Sequence, residues 1–361
     1  MARLLVTGGA GFIGANFVLR RLAGDGDERV VVLDALTYAG NPANLQAVRH
    51  DARLRFVHGD VCDTAQVLAL LREEQLDTVV HFAAESHVDR SIVEPDAFIR
   101  TNVLGTQSML AAACAAWLRN GKFEGVRFHH VSTDEVYGAL GDDDPPFTES
   151  HPYRPNSPYA ASKAASDHLV RAAFHTWNLP VTTSHCSNNY GRFQFPEKLI
   201  PLMLVNALRG RELPVYGQGG NIRDWLHVDD HCRGIESVLE RGRVGETYNF
   251  GGGSERRNLD LVTTVCRLLD QQFAADAALR VEYPACPAAR GARCEELVRF
   301  VADRPGHDWR YALDNSRVAA ELGFQPRESL ESGLLRTLRW YLENPGWWRA
   351  VLDGSCRTEP G

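Results

Sequence analysis

Through its first half the chain repeats one pattern, a short apolar β-branched run followed by a longer stretch with helical spacing. Strand-like runs fall at residues 3–6, 30–33, 54–57, 78–82 and 126–131, with helical spacing over 12–22, 65–72 and 96–118. Runs this apolar are buried on both faces. Strand, helix, strand in repetition therefore predicts a doubly wound parallel sheet of the α/β (Rossmann) class, helices on both sides. Residues 141–158, rich in Asp and Pro, read as a long loop closing on a helix start at Ser157-Pro158. Beyond a run at 181–184 the alternation weakens. Pro196, Pro201 and Pro214 punctuate short helices, 284–291 reads as loop, and 225–239 and 247–250 regain helix and sheet character. The reading is a sheet domain over 1–187 and 222–252, and a smaller mixed α/β region over 188–221 and 253–361.

Composition narrows the classes. The 361 residues are 44% hydrophobic and 24% charged, which supplies a large core and excludes disorder. The longest apolar stretch, 109–118, is far short of the ~20 residues of a membrane span. Met1-Ala2-Arg3 leads into a strand with no cleavable signal pattern. A net charge of −7 without a long basic stripe argues against nucleic acid. The eight cysteines (62, 114, 186, 232, 266, 286, 294, 356) form no C-x-x-C pair, so reduced thiols are expected, with neither a disulfide frame nor a metal site. A soluble cytoplasmic protein that binds small molecules is the expectation, with no nucleic acid and no membrane.

Gly8-Gly9-Ala10-Gly11-Phe12-Ile13-Gly14 lies between the first strand and first helix. Glycines there permit a tight turn, let backbone N–H groups approach a pyrophosphate and place its charge on a helix N-terminus. Asp34 ends the second strand, positioned to accept from adenosine ribose hydroxyls, and Ala35, Leu36 and Thr37 offer no Arg for a 2′-phosphate. NAD is favoured over NADP. Asp60, after the third strand, reads either as an adenine contact or as the cap of the helix that follows.

Tyr159 and Lys163, four apart at a helix start, share one face. A neighbouring ammonium favours tyrosinate, moving the phenol toward a general base, and Lys163 can also hold a nicotinamide ribose. The fifth strand runs into Ser132-Thr133-Asp134-Glu135, where residues past the strand's carboxyl end line the ligand crevice. Two adjacent carboxylates there can divide acid and base duties if their environments differ, or form a solvated acidic loop.

Beside the glycine turn, the Tyr159–Lys163 pair resembles the extended short-chain dehydrogenases/reductases. Thr133-Asp134-Glu135-Val136-Tyr137-Gly138 resembles the nucleotide-sugar 4,6-dehydratases, most closely those acting on dTDP-glucose. So do the runs 81–91, 187–191, 195–201, 221–225 and 303–308, with small departures at Arg192-Phe193 and Trp309. The resemblance implies tightly held NAD and a redox-neutral dehydration: Tyr159 takes the 4-hydroxyl proton, Glu135 the C5 proton, and Asp134 protonates the departing C6 oxygen. Thr133 would hydrogen-bond the 4-oxygen. Beyond the glycines, Val61, Phe82, Ala83, Ala84, Ser86, Thr101 and Asn189 are implied on the cofactor. Arg223 and Arg304 are expected on the diphosphate, with Asn188, Asn258 and His307. Ser86, Glu197, Lys198, Leu199, Pro214 and Tyr216 complete the expected nucleotide-sugar contacts. A UDP-sugar 4-epimerase, a dehydratase of another nucleotide sugar, and a non-catalytic NAD-binding sensor stay open; only a dehydratase has work for both Asp134 and Glu135. A homodimer is expected from helices 105–118 and 159–177, with apolar Leu110, Trp117, Leu169 and Phe174 spread over more than one face.

Overall fold

A computed structural model describes residues 2–355 apart from Asp25, Arg119, Asn120 and Lys122. The strands are β1 (Arg3–Thr7), β2 (Arg29–Asp34), β3 (Leu54–His58), β4 (Thr78–His81), β5 (Arg127–Thr133), β6 (Val181–Cys186), β7 (Asn188–Tyr190), β8 (Leu213–Tyr216), β9 (Ile222–His227), β10 (Thr247–Phe250), β11 (Glu255–Arg257) and β12 (Val298–Val301). Seven of them form one parallel sheet in the order β10-β6-β5-β4-β1-β2-β3. The order reverses between β1 and β4, which opens a crevice at their carboxyl ends.

Strand periodicity sorts the core. Leu4, Val6, Val30 and Val32 face the helices Phe12–Leu22 and Val228–Arg241. Leu5, Val31, Leu33 and Val79 face the opposite layer of helices Thr64–Glu73, Gly105–Trp117 and Pro158–Trp177. A separate core around Met203, Leu204, Val265, Leu269, Leu334 and Tyr341 holds helices Leu199–Leu208, Asn258–Ala275 and Leu330–Glu343 together. The helix beginning at Pro158 is capped where expected, Ser157 Oγ accepting from the Ala160 N–H at 3.1 Å.

Three expectations are corrected. The helix expected over 96–118 starts at Pro95 and is interrupted by a π-helical segment, Ile99–Leu104, before Gly105–Trp117. Within it the Asn102 carbonyl accepts from the hydroxyls of Thr106 (2.6 Å) and Ser166 (2.8 Å), which loosens the helical ladder. Trp225, Leu226 and His227 lie in β9, not in a helix; β9 pairs with β7 and β11 outside the main sheet, and the helix starts at Val228. Of residues 222–252, β10 and the helix Val228–Arg241 belong with the main sheet. Last, Leu110 and Trp117 are buried in the chain's own core, the Trp117 indole donating to the Leu76 carbonyl at 2.8 Å. Leu169 and Phe174 are partly buried against the same core, and the exposed apolar residues on or beside these helices include Ile99, Leu104, Leu118 and Trp177. The seven described cysteines are free thiols, and Cys356 lies outside the described residues. Among the described residues no helix is long and apolar enough to cross a membrane.

Candidate active site

The glycine turn is built without room for side chains. Gly8 takes φ +67°, and a Cβ there would lie 2.8 Å from the Ala83 nitrogen; one on Gly14 would lie 2.3 Å from the Gly8 carbonyl oxygen. Helix Phe12–Leu22 begins at Gly11 with no side-chain cap, so its first-turn N–H groups are left for an anion. Asp34, buried at the end of β2, accepts from the N–H groups of Ala10 (2.9 Å) and Leu36 (2.8 Å). Burial raises its pKa, and each oxygen keeps a lone pair for a hydroxyl. The Leu36 N–H holds Asp34 from φ +50°, and its side chain lies off the cavity wall. Asp60 does line the cavity. Its alternative as a helix cap is overturned, because Asp63 caps Thr64–Glu73 by accepting from the Gln66 N–H at 2.9 Å.

These groups wall a cavity of about 330 Å³ running from Asp34 to the end of β5. Gly8, Gly11, Phe12, Ile13 and Gly14 line it with Asp34, Ala35, Thr37, Asp60, Val61, Phe82, Ala83, Ala84, Ser86, Thr101 and Asn189. The residue types and their order fit a dinucleotide. Sequence reasoning missed Tyr38, Glu85, Gln194 and Phe195, which also line it. Tyr38 meets the Phe195 ring edge-on at 5.6 Å and carries the Arg90 guanidinium 3.9 Å from its centroid, contacts that no motif spacing signals.

At the far end Thr133, Asp134, Glu135, Tyr159 and Lys163 converge on the same cavity. Thr133 Oγ1 caps the 3₁₀ turn Asp134–Tyr137 by accepting from the Glu135 N–H (3.3 Å), and donates to Asp134 Oδ1 (3.3 Å). The Asp134 side chain is buried, with Oδ2 lacking a partner among the described residues. Burial, then the nearby Glu135 and Asp224, pushes its pKa well above the carboxylate range. Burial also raises Glu135, but Arg304, Lys198 and Arg223 pull it back. The two carboxyls thus sit in different environments, the stronger elevation falling on Asp134. Lys163 Nζ donates to the Val131 carbonyl at 2.8 Å, and burial lowers its pKa to about 8. The expected lowering of Tyr159 is not produced by the chain's own charges: burial, then Glu135, holds the phenol well above its usual value, with a hydrogen bond to Thr133 opposing.

The expected substrate contacts divide. Ser86, Thr133, Asn188, Glu197 and Lys198 line the cavity, Lys198 Nζ donating to the Ser86 carbonyl at 2.8 Å. Leu199, Pro214, Tyr216, Arg223, Asn258, Arg304 and His307 lie off its wall. Leu199 packs on the second core, and Pro214 sits in β8, paired with β12. Tyr216 and Arg304 both reach Asp89 (3.1 and 3.3 Å), and His307 pairs with Asp303 at 2.6 Å. Asn188 Oδ1, Asn258 Oδ1 and Arg304 Nε are buried without partners among the described residues, as groups awaiting a polar ligand would be. Arg223 has partners within the chain. Its guanidinium donates to the carbonyls of Ile222 (2.7 Å), Asp308 (2.9 Å) and Trp309 (3.2 Å) and lies 4.4 Å from the Tyr311 ring centroid. Buried this way, it fastens residues 308–311 to β9 and acts on the carboxylates through its charge.

A doubly wound sheet with a glycine turn at its switch point and Tyr159–Lys163 on the helix beside β5 defines the extended short-chain dehydrogenase/reductase class. The family model described as GDP-mannose 4,6 dehydratase matches residues 5–337. Among curated relatives, a dTDP-glucose 4,6-dehydratase of Xanthomonas campestris is 54% identical over 99% of this chain and 98% of its own; one of Neisseria meningitidis is 51% identical, again over 99% and 98%. The structure of a dTDP-glucose 4,6-dehydratase from Streptomyces venezuelae with NAD bound matches at TM-score 0.85 and 50% identity, covering 97% of this chain and 99% of that one. A UDP-glucose 4-epimerase from Thermotoga maritima matches at TM-score 0.79 but 26% identity, over 95% and 99%. The chain belongs to the dTDP-glucose 4,6-dehydratase family.

Proposed function

We propose that the protein is an NAD-dependent dTDP-glucose 4,6-dehydratase, a hydro-lyase that converts dTDP-glucose to dTDP-4-keto-6-deoxyglucose. The observation that carries this is the Asp134–Glu135 pair, set apart by environment and facing the same cavity as Tyr159 and Lys163. Bound along the glycine turn and Asp34, NAD supplies the acceptor that takes hydride from C4 and returns it to C6. Tyr159 accepts the 4-hydroxyl proton while Thr133 holds the oxygen. The C4 ketone acidifies the C5 proton, which Glu135 removes. Asp134, kept protonated by burial, gives its proton to the C6 oxygen, which leaves as water, and C5 is then reprotonated. The net change is the loss of one water. A 4-epimerase would need none of the work of Asp134 and Glu135.

In this reading the sheet domain (1–187 and 228–252, with β9 assigned to the other region) holds the cofactor, and 188–227 with 253–361 holds the nucleotide sugar. The three unpartnered buried atoms of Asn188, Asn258 and Arg304 support a polar ligand there. The enzyme acts as a soluble cytoplasmic homodimer, the exposed Ile99 and Leu104 beside the helices Gly105–Trp117 and Pro158–Trp177 offering apolar surface to a second copy. Side-by-side turnover of dTDP-, UDP-, GDP- and CDP-hexoses, read by mass spectrometry for loss of water, tests the function. Reaction with GDP-mannose alone, or no loss of water from any, overturns it. Light scattering that gives a monomer at micromolar concentration overturns the dimer.

A further inference from the structure

Behind the reacting groups lies a buried polar cluster that the dehydration as written does not use. Asp167 sits one helical turn beyond Lys163 and two beyond Tyr159, so the three share a face of the helix Pro158–Trp177. Its carboxylate is 4% exposed and is hydrogen-bonded by His130 Nε2 (3.0 Å), His185 Nε2 (2.9 Å) and Ser132 Oγ (2.9 Å). His185 is held in turn by the Tyr137 and Tyr153 hydroxyls, each at 3.0 Å.

Every neighbouring layer presents groups to this spot. From β4 comes His81, its ring 5.6 Å from that of His130; from β5 come His130 and the Val131 carbonyl that binds Lys163. β6 supplies His185 and Cys186, and the loop before the helix supplies Tyr153. Burial keeps His81 and His130 neutral and pushes the Cys186 thiol up. The hydrogen bonds from His130 and His185 hold Asp167 ionised against its burial. Lys163 shares the helix face with this carboxylate, its own hydrogen bond going to the Val131 carbonyl between the two β5 residues, His130 and Ser132, that bind Asp167.

We propose that Asp167 is the buried counter-ion of Lys163, a positioning residue that keeps the ammonium beneath the site where the sugar is oxidised. This rests on the dehydratase reading for that site. A buried ammonium without a partner loses its proton readily, and Asp167 opposes that loss. The histidines and Ser132 fix the carboxylate in place, so the charge cannot turn away from the helix face that carries Lys163.

The test has two arms. In the holoenzyme with dTDP-glucose, kcat is measured against pH for wild type and Asp167→Asn. The alkaline limb should move about one pH unit toward acid, costing about tenfold in rate at pH 8. A uniform fall with the limb unmoved overturns the proposal. If wild type itself does not dehydrate dTDP-glucose, the functional reading has failed, and the second arm still decides this one. Urea midpoints are compared for Asp167→Asn, Lys163→Met and the double variant, without substrate. Removing the stranded ammonium should make the double variant more stable than Asp167→Asn alone. A double variant no more stable than Asp167→Asn overturns the pairing.

Discussion

Asp134 and Glu135 are neighbours in sequence, yet the Asp134 carboxyl has an oxygen with no partner among the described residues, while Glu135 feels Arg304, Lys198 and Arg223. Their substitutions should therefore fail at different steps. Glu135→Gln should let C4 oxidise while deuterium uptake at C5 nearly stops. Asp134→Asn should allow C5 exchange and slow the loss of water. Each loss should reach about 10²–10⁴ in rate. Deuterium incorporation at C5, measured beside mass spectra for the 4-keto sugar that still carries its 6-oxygen, separates the two. Wild-type dehydration in both variants would remove the pair from the chemistry.

The pH profile follows from the same contrast. Glu135 must be ionised, and its raised pKa means that activity is lost as pH falls through a value above the usual 4.5. Asp134 must be protonated, and its stronger elevation keeps the acid form present at higher pH. Lys163 sheds its proton near pH 8, so activity falls above that. Lys198→Met removes one of the cations that lower Glu135. The acid limb should then move to higher pH, which a kcat/KM profile reads directly.

Gly14→Ala places a methyl group 2.3 Å from the Gly8 carbonyl oxygen. Backbone cannot give way there cheaply, so a stability loss of about 1–3 kcal/mol is expected, with cofactor retention lost as well. Asp34→Arg strips the acceptor from the Ala10 and Leu36 N–H groups and should abolish ribose recognition. Thermal unfolding and NAD content are measured side by side for both purified variants. Unchanged NAD content in Asp34→Arg would remove Asp34 from the site.

Arg223→Lys retains the charge near Glu135 but cannot span the carbonyls of Ile222, Asp308 and Trp309 or stack on Tyr311. A loss of about 1–3 kcal/mol in unfolding free energy is expected, with little change in the affinity for dTDP. A large affinity loss at unchanged stability would return Arg223 to the diphosphate.

What could be read from the chain was whatever backbone geometry demands. Glycines at 8, 11 and 14, Asp34 after a strand, and Tyr159 four before Lys163 are forced by close approach and by helix spacing, and spacing survives in one dimension. Trp225-Leu226-His227 misled because an apolar-polar triplet continues smoothly into the helical pattern from Val228, and only pairing with β7 and β11 makes it strand. The π-helical segment at Ile99–Leu104 follows from hydroxyls of Thr106 and Ser166 competing for the Asn102 carbonyl, one of them from a distant helix. Arg223 was chosen for its planar guanidinium and its place in a matched motif, and neither signals its hydrogen bonds to the carbonyls of Asp308 and Trp309. Asp167 keeps its spacing, four beyond Lys163, but its partners left no trace, since histidines from different strands have no period.

The chain order of the sheet has a consequence for synthesis. β6 receives its outer neighbour only from β10, after β7, β8 and β9 have been made. Until residue 250 clears the ribosome, Val181–Cys186 stands as an open edge with unpaired N–H and C=O groups, beside a sheet already laid down. A nascent chain paused in between carries a ready template for another copy. Truncation before Thr247 should therefore yield aggregates instead of a small stable domain, and chaperone demand should peak while the intervening segments are translated.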